Sequence, residues 1–313
     1  MKKEYYFESG SSALIFSLLS EKKNSQIVFL PEFICNSLVE RLNENKIRID
    51  YYKIKKNLTT DWINLKNKIR KYNNKIIYIL YVNYFGKIND RDNFINIKLN
   101  FRGSNKIKLI EDNSHGHYLN VDKNLKNKID ISFSSPTKIF SELYSGGILY
   151  REKFIDESKY KNLNILKVKI IILFKLFLKN FIIKYKFYFF LRELLSNIKI
   201  NIKKKNVIQK IDNYSFQTLK KININKSLRL KVKKINFIDE KLKQFKFKKY
   251  FEFNDNLPWY YVCFTKNLKI KKKIQLFCKK EKILFFNWPK LPVENKNKRT
   301  KYIYDRIICI PLK

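Results

Sequence analysis

Short apolar segments alternate with amphipathic ones over roughly the first half of the chain, and this alternation constrains the fold more than any other feature. The apolar segments are rich in Ile, Val, Leu, Phe and Tyr, as buried strands are. Between them, apolar residues recur every three or four positions, which is the period of a helix. Strands that are joined by helical crossovers pair in parallel. The pattern therefore predicts a mostly parallel sheet that is covered by helices.

The predicted elements can be placed along the chain. The predicted strands of this half are 27–30, 48–54, 76–82, 107–110, 131–133 and 147–150, and the predicted helices are 11–22, 35–42 and 61–70. After 152 the sequence becomes helical and rich in lysine. It then returns to mixed character, with predicted strands at 259–264 and 307–311 and a helix at 270–282. We therefore predict a large α/β domain over 1–205, which includes a lysine-rich helical region at about 158–205, and a smaller α+β domain over 206–313.

The chain carries a formal net charge of +41, from 68 Lys and Arg against 27 Asp and Glu. A charge of this size is typical of proteins that bind nucleic acid, anionic lipid or acidic ligands. The lysines are spread along the whole length, however, and Gly, Pro and Met are scarce, as an AT-rich genome would produce. We therefore attribute most of the charge to composition, with a remaining role in attracting anionic substrates. No nucleic-acid partner is expected, because the aromatic residues lie in apolar runs such as 187–190.

The segment 165–191 is the part of the chain that most resembles a membrane-associated helix. Lysines interrupt it every few residues, so no run reaches the roughly 20 apolar residues that a membrane span requires. Two interpretations stay open. The segment either packs on its own domain or on a dimer partner, which we favour, or makes a peripheral contact with a membrane surface as a basic helix.

The cysteines and the first residues of the chain bear on its location. The four cysteines have no CxxC spacing, and no secretory signal is recognisable at 1–4. We therefore expect reduced thiols, no metal site and a cytoplasmic location.

Chemically active side chains follow two of the predicted strands. Asp112 and His115 come directly after one strand, and Lys138 follows the next. Because the carboxyl ends of parallel strands meet at one edge of a sheet, we expect these three side chains to lie close together. A carboxylate that keeps a pyridine nitrogen protonated and a lysine that forms a Schiff base are what a protein supplies to pyridoxal 5'-phosphate (PLP). The set therefore predicts a PLP site.

The start of the first predicted helix is suited to a phosphate. Gly10, Ser11 and Ser12 lie there. They offer backbone N–H groups, hydroxyls and the positive end of the helix dipole.

The order of these motifs resembles the DegT/DnrJ/EryC1/StrS family of PLP-dependent sugar aminotransferases. The more specific motifs are EDNSH at 111–115 and SSPTK at 134–138, followed by the glycine pair at 146–147. The other motifs are SGSSAL at 9–14, LPEFIC at 30–35, YFG at 84–86, WP at 288–289 and IPL at 310–312. The resemblance covers most of the chain. It implies the type I PLP-aminotransferase fold and a homodimer.

The resemblance implies a role for each matched residue. Lys138 would form the Schiff base and move the proton between the substrate and the cofactor. Asp112 would pair with the pyridinium nitrogen, and His115 would contact the ring hydroxyl. The phosphate would be held by the residues that match the family's phosphate-binding positions, namely Gly10, Ser11 and Ser12 with a hydroxyl from Ser132 or Ser134.

Several positions depart from the family's pattern. Cys35 stands where an aromatic residue commonly stacks on the cofactor, although Phe33 is close by. Phe133 stands where a serine is usual, so that Ser132 and Ser134 flank the expected phosphate contact. The segment that reaches across the family's dimer has no clear counterpart.

We therefore predict a PLP-dependent aminotransferase that moves an amino group from glutamate to a nucleotide-linked keto-sugar for surface polysaccharide biosynthesis. The substrates follow from the resemblance alone. Two alternatives stay open: an inactive or non-transaminating relative, and a basic protein that binds nucleic acid or a membrane surface. Lys138 argues against a dehydratase, because a dehydratase branch of the family carries histidine at that position.

Overall fold

The computed structural model describes residues 3–21, 25–72, 74–88, 90–101, 106–118, 128–152, 208–250, 256–288, 290–295 and 297–312. The lysine-rich region at about 158–205, which includes the segment 165–191, lies outside these residues. Within the described part of the chain, every helix is too short or too polar to cross a bilayer.

Strands and helices alternate along the first half of the chain, as the apolar pattern predicts. The strands are β1 (Lys3–Phe7), β2 (Gln26–Pro31), β3 (Ile49–Tyr52), β4 (Ile76–Val82), β5 (Lys106–Asp112), β6 (Gly116–Tyr118), β7 (Ile131–Ser134), β8 (Gly147–Arg151), β9 (Phe247–Lys249), β10 (Asn256–Pro258), β11 (Tyr260–Thr265) and β12 (Ile307–Pro311). The helices are α1 (Gly10–Ser20), α2 (Asn36–Glu44), α3 (Trp62–Arg70), α4 (Arg91–Asn100), α5 (Pro136–Ile139), α6 (Asn213–Lys221), α7 (Ile224–Leu242), α8 (Leu268–Lys280) and α9 (Lys298–Tyr304). Short 3₁₀ turns cover Tyr84–Gly86 and Val293–Asn295.

The large sheet has seven strands in the order β1-β8-β7-β5-β4-β2-β3. Strands β7, β5, β4, β2 and β3 pair in parallel with their neighbours in that order. Strand β8 runs antiparallel to both of its neighbours, β1 and β7. Every residue of β2 is buried, as are all but the first residue of β4. Continuous burial is typical of strands that are covered on both faces. The predicted α/β class, with a mostly parallel central sheet, is confirmed.

A smaller antiparallel sheet, in the order β12-β11-β9, forms the C-terminal part of the fold. One of its faces contributes Tyr260, Val262 and Cys309 to the core of the large sheet. The other face packs against α7 and α8. Strand β10 pairs with β6 and ties this part of the chain to the residues that follow β5. The domain boundary at 205/206 stays a prediction.

Candidate active site

The carboxyl ends of β5 and β7 bring the predicted site residues to one edge of the sheet. Asp112 is the last residue of β5, and it pairs in parallel with Phe133 of β7. The chain turns directly after β7 into the short helix α5, which carries Lys138. Parallel pairing therefore places residues that are 26 positions apart in the sequence beside each other, as the sheet-edge argument predicts.

Asp112 is buried, with 7% of its surface exposed. Its Oδ1 accepts a hydrogen bond of 2.8 Å from the backbone N–H of Ser114. Burial raises the pKa of the Asp112 carboxyl, and the positive charge of Lys138 opposes this rise. The site thus holds a carboxylate whose charge depends on a nearby cation.

His115 is buried and held in one orientation. Its Nδ1 accepts a hydrogen bond of 3.3 Å from the backbone N–H of Phe85, a residue in the left-handed region at φ 57°. Burial, aided by the charge of Lys138, lowers the pKa of His115 well below its ordinary value of 6.5. The imidazole is therefore neutral at neutral pH. Because Nδ1 is an acceptor, the proton is assigned to Nε2, which is left as a donor.

Lys138 lies between the sheet edge and the C-terminal part of the chain. Its Nζ lies 4.6 Å from the centre of the Trp259 ring, a cation–π distance. The backbone N–H of Trp259 in turn donates a hydrogen bond of 3.0 Å to the carbonyl of His115. Trp259 therefore connects Lys138 to His115. Sequence reasoning missed this role, because the local pattern marks Trp259 only as the start of a strand.

Aromatic rings enclose His115. Phe85 stacks on the imidazole at 5.8 Å and 22°, and Trp288 meets it edge-on at 4.5 Å. Trp259 lies 5.8 Å away on another side. Trp259 and Trp288 are both half-buried. The site is therefore largely apolar around a few polar groups, as ligand sites usually are.

The start of α1 lies against the end of β7. A Cβ added to Gly10 would come within 2.9 Å of the Ser134 carbonyl oxygen, 3.3 Å of Ser135 Cβ and 3.4 Å of Ser114 Oγ. Glycine is therefore required for this approach. The Oγ of Ser9 caps the helix by accepting a hydrogen bond from the Ser12 N–H.

Sequence reasoning also missed Arg41, which lies at the same helix end. Its Nη1 donates to the hydroxyls of Ser9 at 3.1 Å, Ser11 at 2.9 Å and Ser12 at 2.6 Å. Another guanidinium nitrogen of Arg41 lies 3.8 Å from Glu8. A cation is unfavourable at the positive end of a helix unless an anion accompanies it. Glu8 supplies one negative charge there.

Two of the proposed phosphate contacts are placed differently from the expectation. The Ser132 hydroxyl accepts a hydrogen bond of 3.0 Å from Asn113 Nδ2 and donates one of 3.3 Å to Glu111. Ser132 pairs with Glu111, and successive strand residues face opposite sides, so its hydroxyl lies on the face opposite Asp112. The alternation places Ser134 on that same face. These placements argue against either hydroxyl as a phosphate ligand, whereas Ser135 lies beside Gly10.

Cys35 is half-buried at the N-cap of α2, where the Ser37 hydroxyl lies 3.5 Å from its Sγ. Phe33 is fully buried, and its ring centre lies 6.1 Å from that of Trp288, so it belongs to the aromatic group around His115. The aromatic side chain that lies nearest the site in this segment is thus Phe33, as expected from the cysteine at position 35. A role of Cys35 toward a cofactor stays a prediction.

No family model matches the chain, and no curated protein sequence matches it. Solved structures do match. The sugar aminotransferase Spr1654 from Streptococcus pneumoniae, in its PLP form, has a TM-score of 0.67 and 13% identity over 99% of this chain and 82% of that one. A DegT DnrJ EryC1 StrS aminotransferase from Brucella abortus has a TM-score of 0.60 and 15% identity, over 98% and 80%.

A third similar structure is Helicobacter pylori PseC, an aminotransferase involved in the biosynthesis of pseudoaminic acid. It has a TM-score of 0.60 and 15% identity over 99% of this chain and 81% of that one. The chain therefore has the fold of these PLP-dependent aminotransferases, the type I fold that the sequence predicts.

Proposed function

We propose that the chain is a PLP-dependent aminotransferase of the DegT/DnrJ/EryC1/StrS type that transfers an amino group to a keto-sugar. The observation that carries this proposal is the meeting of Asp112, His115 and Lys138 at one sheet edge. The chain that carries them has the fold found in sugar aminotransferases. Low identity leaves the function to be argued from the site itself.

The residues present fit PLP by their chemistry. A buried carboxylate, Asp112, suits the ring nitrogen, and a helix start with no room for a Cβ at Gly10 suits the phosphate. Arg41 adds a positive charge at the same helix end. Lys138 has the primary amine that bonds to the cofactor's aldehyde. The donor set thus matches both ends of the cofactor.

When bound, PLP supplies an electron-accepting ring that stabilises negative charge on a neighbouring carbon. Asp112 has the task of remaining ionised in a buried place, and the charge of Lys138 favours that state. His115 stays neutral and offers Nε2–H as a fixed donor, because Phe85 occupies Nδ1.

Lys138 would carry the proton. Its Nζ would accept the proton from the substrate α-carbon and deliver it to C4' of the cofactor, which is general acid/base catalysis worth about 10²–10⁴ in rate. The face of Trp259 holds the amine in place between these events. Trp259, Trp288 and Phe85 surround the neighbouring His115 with apolar rings.

We propose further that the acceptor is a nucleotide-linked keto-sugar and that the amino donor is glutamate. The enzyme would act in the cytoplasm, in the biosynthesis of a surface polysaccharide. The net charge of +41 supports an anionic substrate, because a positive field raises its encounter rate. A homodimer is part of the proposal, because type I enzymes build their sites at a subunit interface.

The test is an absorbance spectrum of the protein with added PLP, repeated for Lys138→Ala and for Lys66→Ala, an exposed lysine of α3. We expect a visible band in the wild type and in Lys66→Ala but not in Lys138→Ala. Glutamate should shift this band toward the near-ultraviolet. Absence of the band in the wild type would contradict the proposal and favour an inactive relative.

A further inference from the structure

We infer that the outer face of the C-terminal part of the fold, formed by the exposed sides of α7 and α8, binds the surface of an anionic membrane. This basic-apolar face is distinct from the candidate active site. The inference therefore does not depend on the proposed aminotransfer.

The exposed side of α7 carries large apolar residues among basic ones. Leu230 is 58% exposed and Phe237 is 53% exposed. They are seven residues apart, so they lie on the same side of the helix, two turns from each other. The exposed residues Lys226, Arg229 and Lys233 share this side of the helix.

Helix α8 repeats the pattern. Leu276 is 66% exposed and Leu268 is 48% exposed. The exposed lysines of this helix are Lys269, Lys272, Lys273, Lys279 and Lys280. Long lysine stems beside leucines extend the apolar surface while their charged ends stay in water.

The two helices lie on the same side of the small sheet. Their buried sides pack on the same face of the small sheet, through residues that include Ile238 and Ile274. At their C-terminal ends, Lys241 Nζ lies 2.6 Å from Glu281, and the rings of Phe245 and Phe277 are 5.3 Å apart. The sides turned away from the sheet therefore form a single outer layer.

The positive charge of this layer indicates an anionic partner. Of the twelve basic residues on the two helices, ten lie outside the core, since Lys231 and Lys271 are buried; the helices carry two acidic residues, both on α7. Anionic lipid headgroups attract such a surface, and exposed Leu and Phe enter the boundary between headgroups and acyl chains. A polyanion such as nucleic acid would use the lysines but would gain little from exposed leucines. The combination therefore favours a lipid surface.

The test uses the full chain and co-sedimentation with vesicles of phosphatidylcholine alone or with phosphatidylserine. The variant Leu230→Asn/Leu276→Asn removes two exposed apolar residues without changing the charge. The matched control is Ile63→Asn/Leu99→Asn, whose side chains are 76% and 62% exposed on α3 and α4. Circular dichroism checks that both variants fold.

We expect binding to phosphatidylserine vesicles that falls about tenfold in the outer-layer variant and is unchanged in the control; tenfold corresponds to about 1.4 kcal/mol. Lys272→Glu/Lys273→Glu should weaken binding further, and vesicles without phosphatidylserine should bind poorly.

Three results would overturn the inference. The wild type could fail to bind phosphatidylserine vesicles at low salt. The outer-layer variant could bind as tightly as the control, which would place the lipid contact elsewhere in the chain. Finally, double-stranded DNA could compete fully for binding that does not depend on Leu230 and Leu276, which would identify a general affinity for polyanions.

Discussion

At the scale of single residues, burial disfavours the charged forms of two side chains in the candidate site. Asp112 has a raised pKa and His115 a lowered one, each chiefly because of burial, and Lys138 acts on both. The charge of Lys138 favours ionised Asp112 and neutral His115. Lys138 thus favours the states that a PLP site requires of both neighbours.

The change Asp112→Asn should stabilise the protein without cofactor at neutral pH while abolishing its function. The folded state raises the pKa of Asp112 above its ordinary value of 3.8, so the folded state holds this proton more tightly than the unfolded state. Ionisation therefore destabilises the fold progressively as pH rises from about 4 through the folded-state pKa. Urea denaturation between pH 4 and 8 should show a gain for the variant at pH 7 that disappears toward pH 4.

Asp50→Asn is the control with the opposite sign. Burial tends to raise the pKa of Asp50, but hydrogen bonds from Lys68 and Tyr72 outweigh it and lower the pKa. Ionised Asp50 therefore stabilises the fold, and its replacement should lower stability at pH 7. A loss of stability for Asp112→Asn as well would contradict the burial argument.

At the scale of elements, the site depends on how closely α1 approaches β7 and β8. A Cβ at Gly147 would lie 2.1 Å from the carbonyl carbon and oxygen of Ser9 and 2.5 Å from the Gly10 nitrogen. These are backbone atoms, which cannot rotate away. At the neighbouring Gly146, the nearest atom to such a Cβ is Thr137 Cγ2, at 3.4 Å. The two adjacent glycines therefore differ sharply in what they tolerate.

Gly147→Ala should lower the free energy of unfolding by at least about 1–3 kcal/mol, as overpacking does, because the start of α1 must move away from β8. Gly146→Ala should change it by much less. Urea denaturation compares the two stabilities, and titration with PLP compares the affinities, which should fall only in Gly147→Ala. Equal effects at both positions would show that the close approach of α1 does not shape the phosphate end.

The elements also show what can be predicted from the sequence. The predicted bounds of β4 and β12 match the observed ones. A short, continuous apolar run between polar segments is typical of a buried strand, so its ends are easy to place. Helix α4 escapes prediction, because it buries Arg91 against Glu111 at 2.5 Å, and a charged residue in the core conceals the apolar pattern. Strand β1 escapes it too, since its first two residues are exposed at the sheet edge.

The same limit applies to the site. Asp112, His115 and Lys138 follow two neighbouring strands, so strand order alone predicts that they meet. Trp259 and Arg41 reach the site from elements whose positions depend on tertiary packing, and local sequence carries no record of that packing. The alternation of faces along β7 separates Ser132 from Asp112, and it can be applied only once the register of β7 on β5 is known.

At the scale of the whole molecule, the net charge of +41 opposes folding, because the compact state brings like charges closer together. Ion pairs act in the other direction, but most exposed pairs contribute at most about 1 kcal/mol. Among the described residues, the lysines far outnumber the carboxylates available to pair with them. Repulsion should therefore dominate the response of stability to salt.

Raising NaCl from about 0.01 M to about 0.3 M shortens the screening length from about 30 Å to well under 10 Å. We expect the melting temperature to rise by several degrees, since about 1 kcal/mol of stabilisation raises it by about 2–4 °C in proteins of 150–250 residues. Scanning calorimetry in NaCl and in KCl should give the same rise, because screening does not depend on the cation. A melting temperature that falls with salt would mean that favourable ion pairs outweigh the repulsion between like charges. The positive residues would then be positioned to pair with carboxylates.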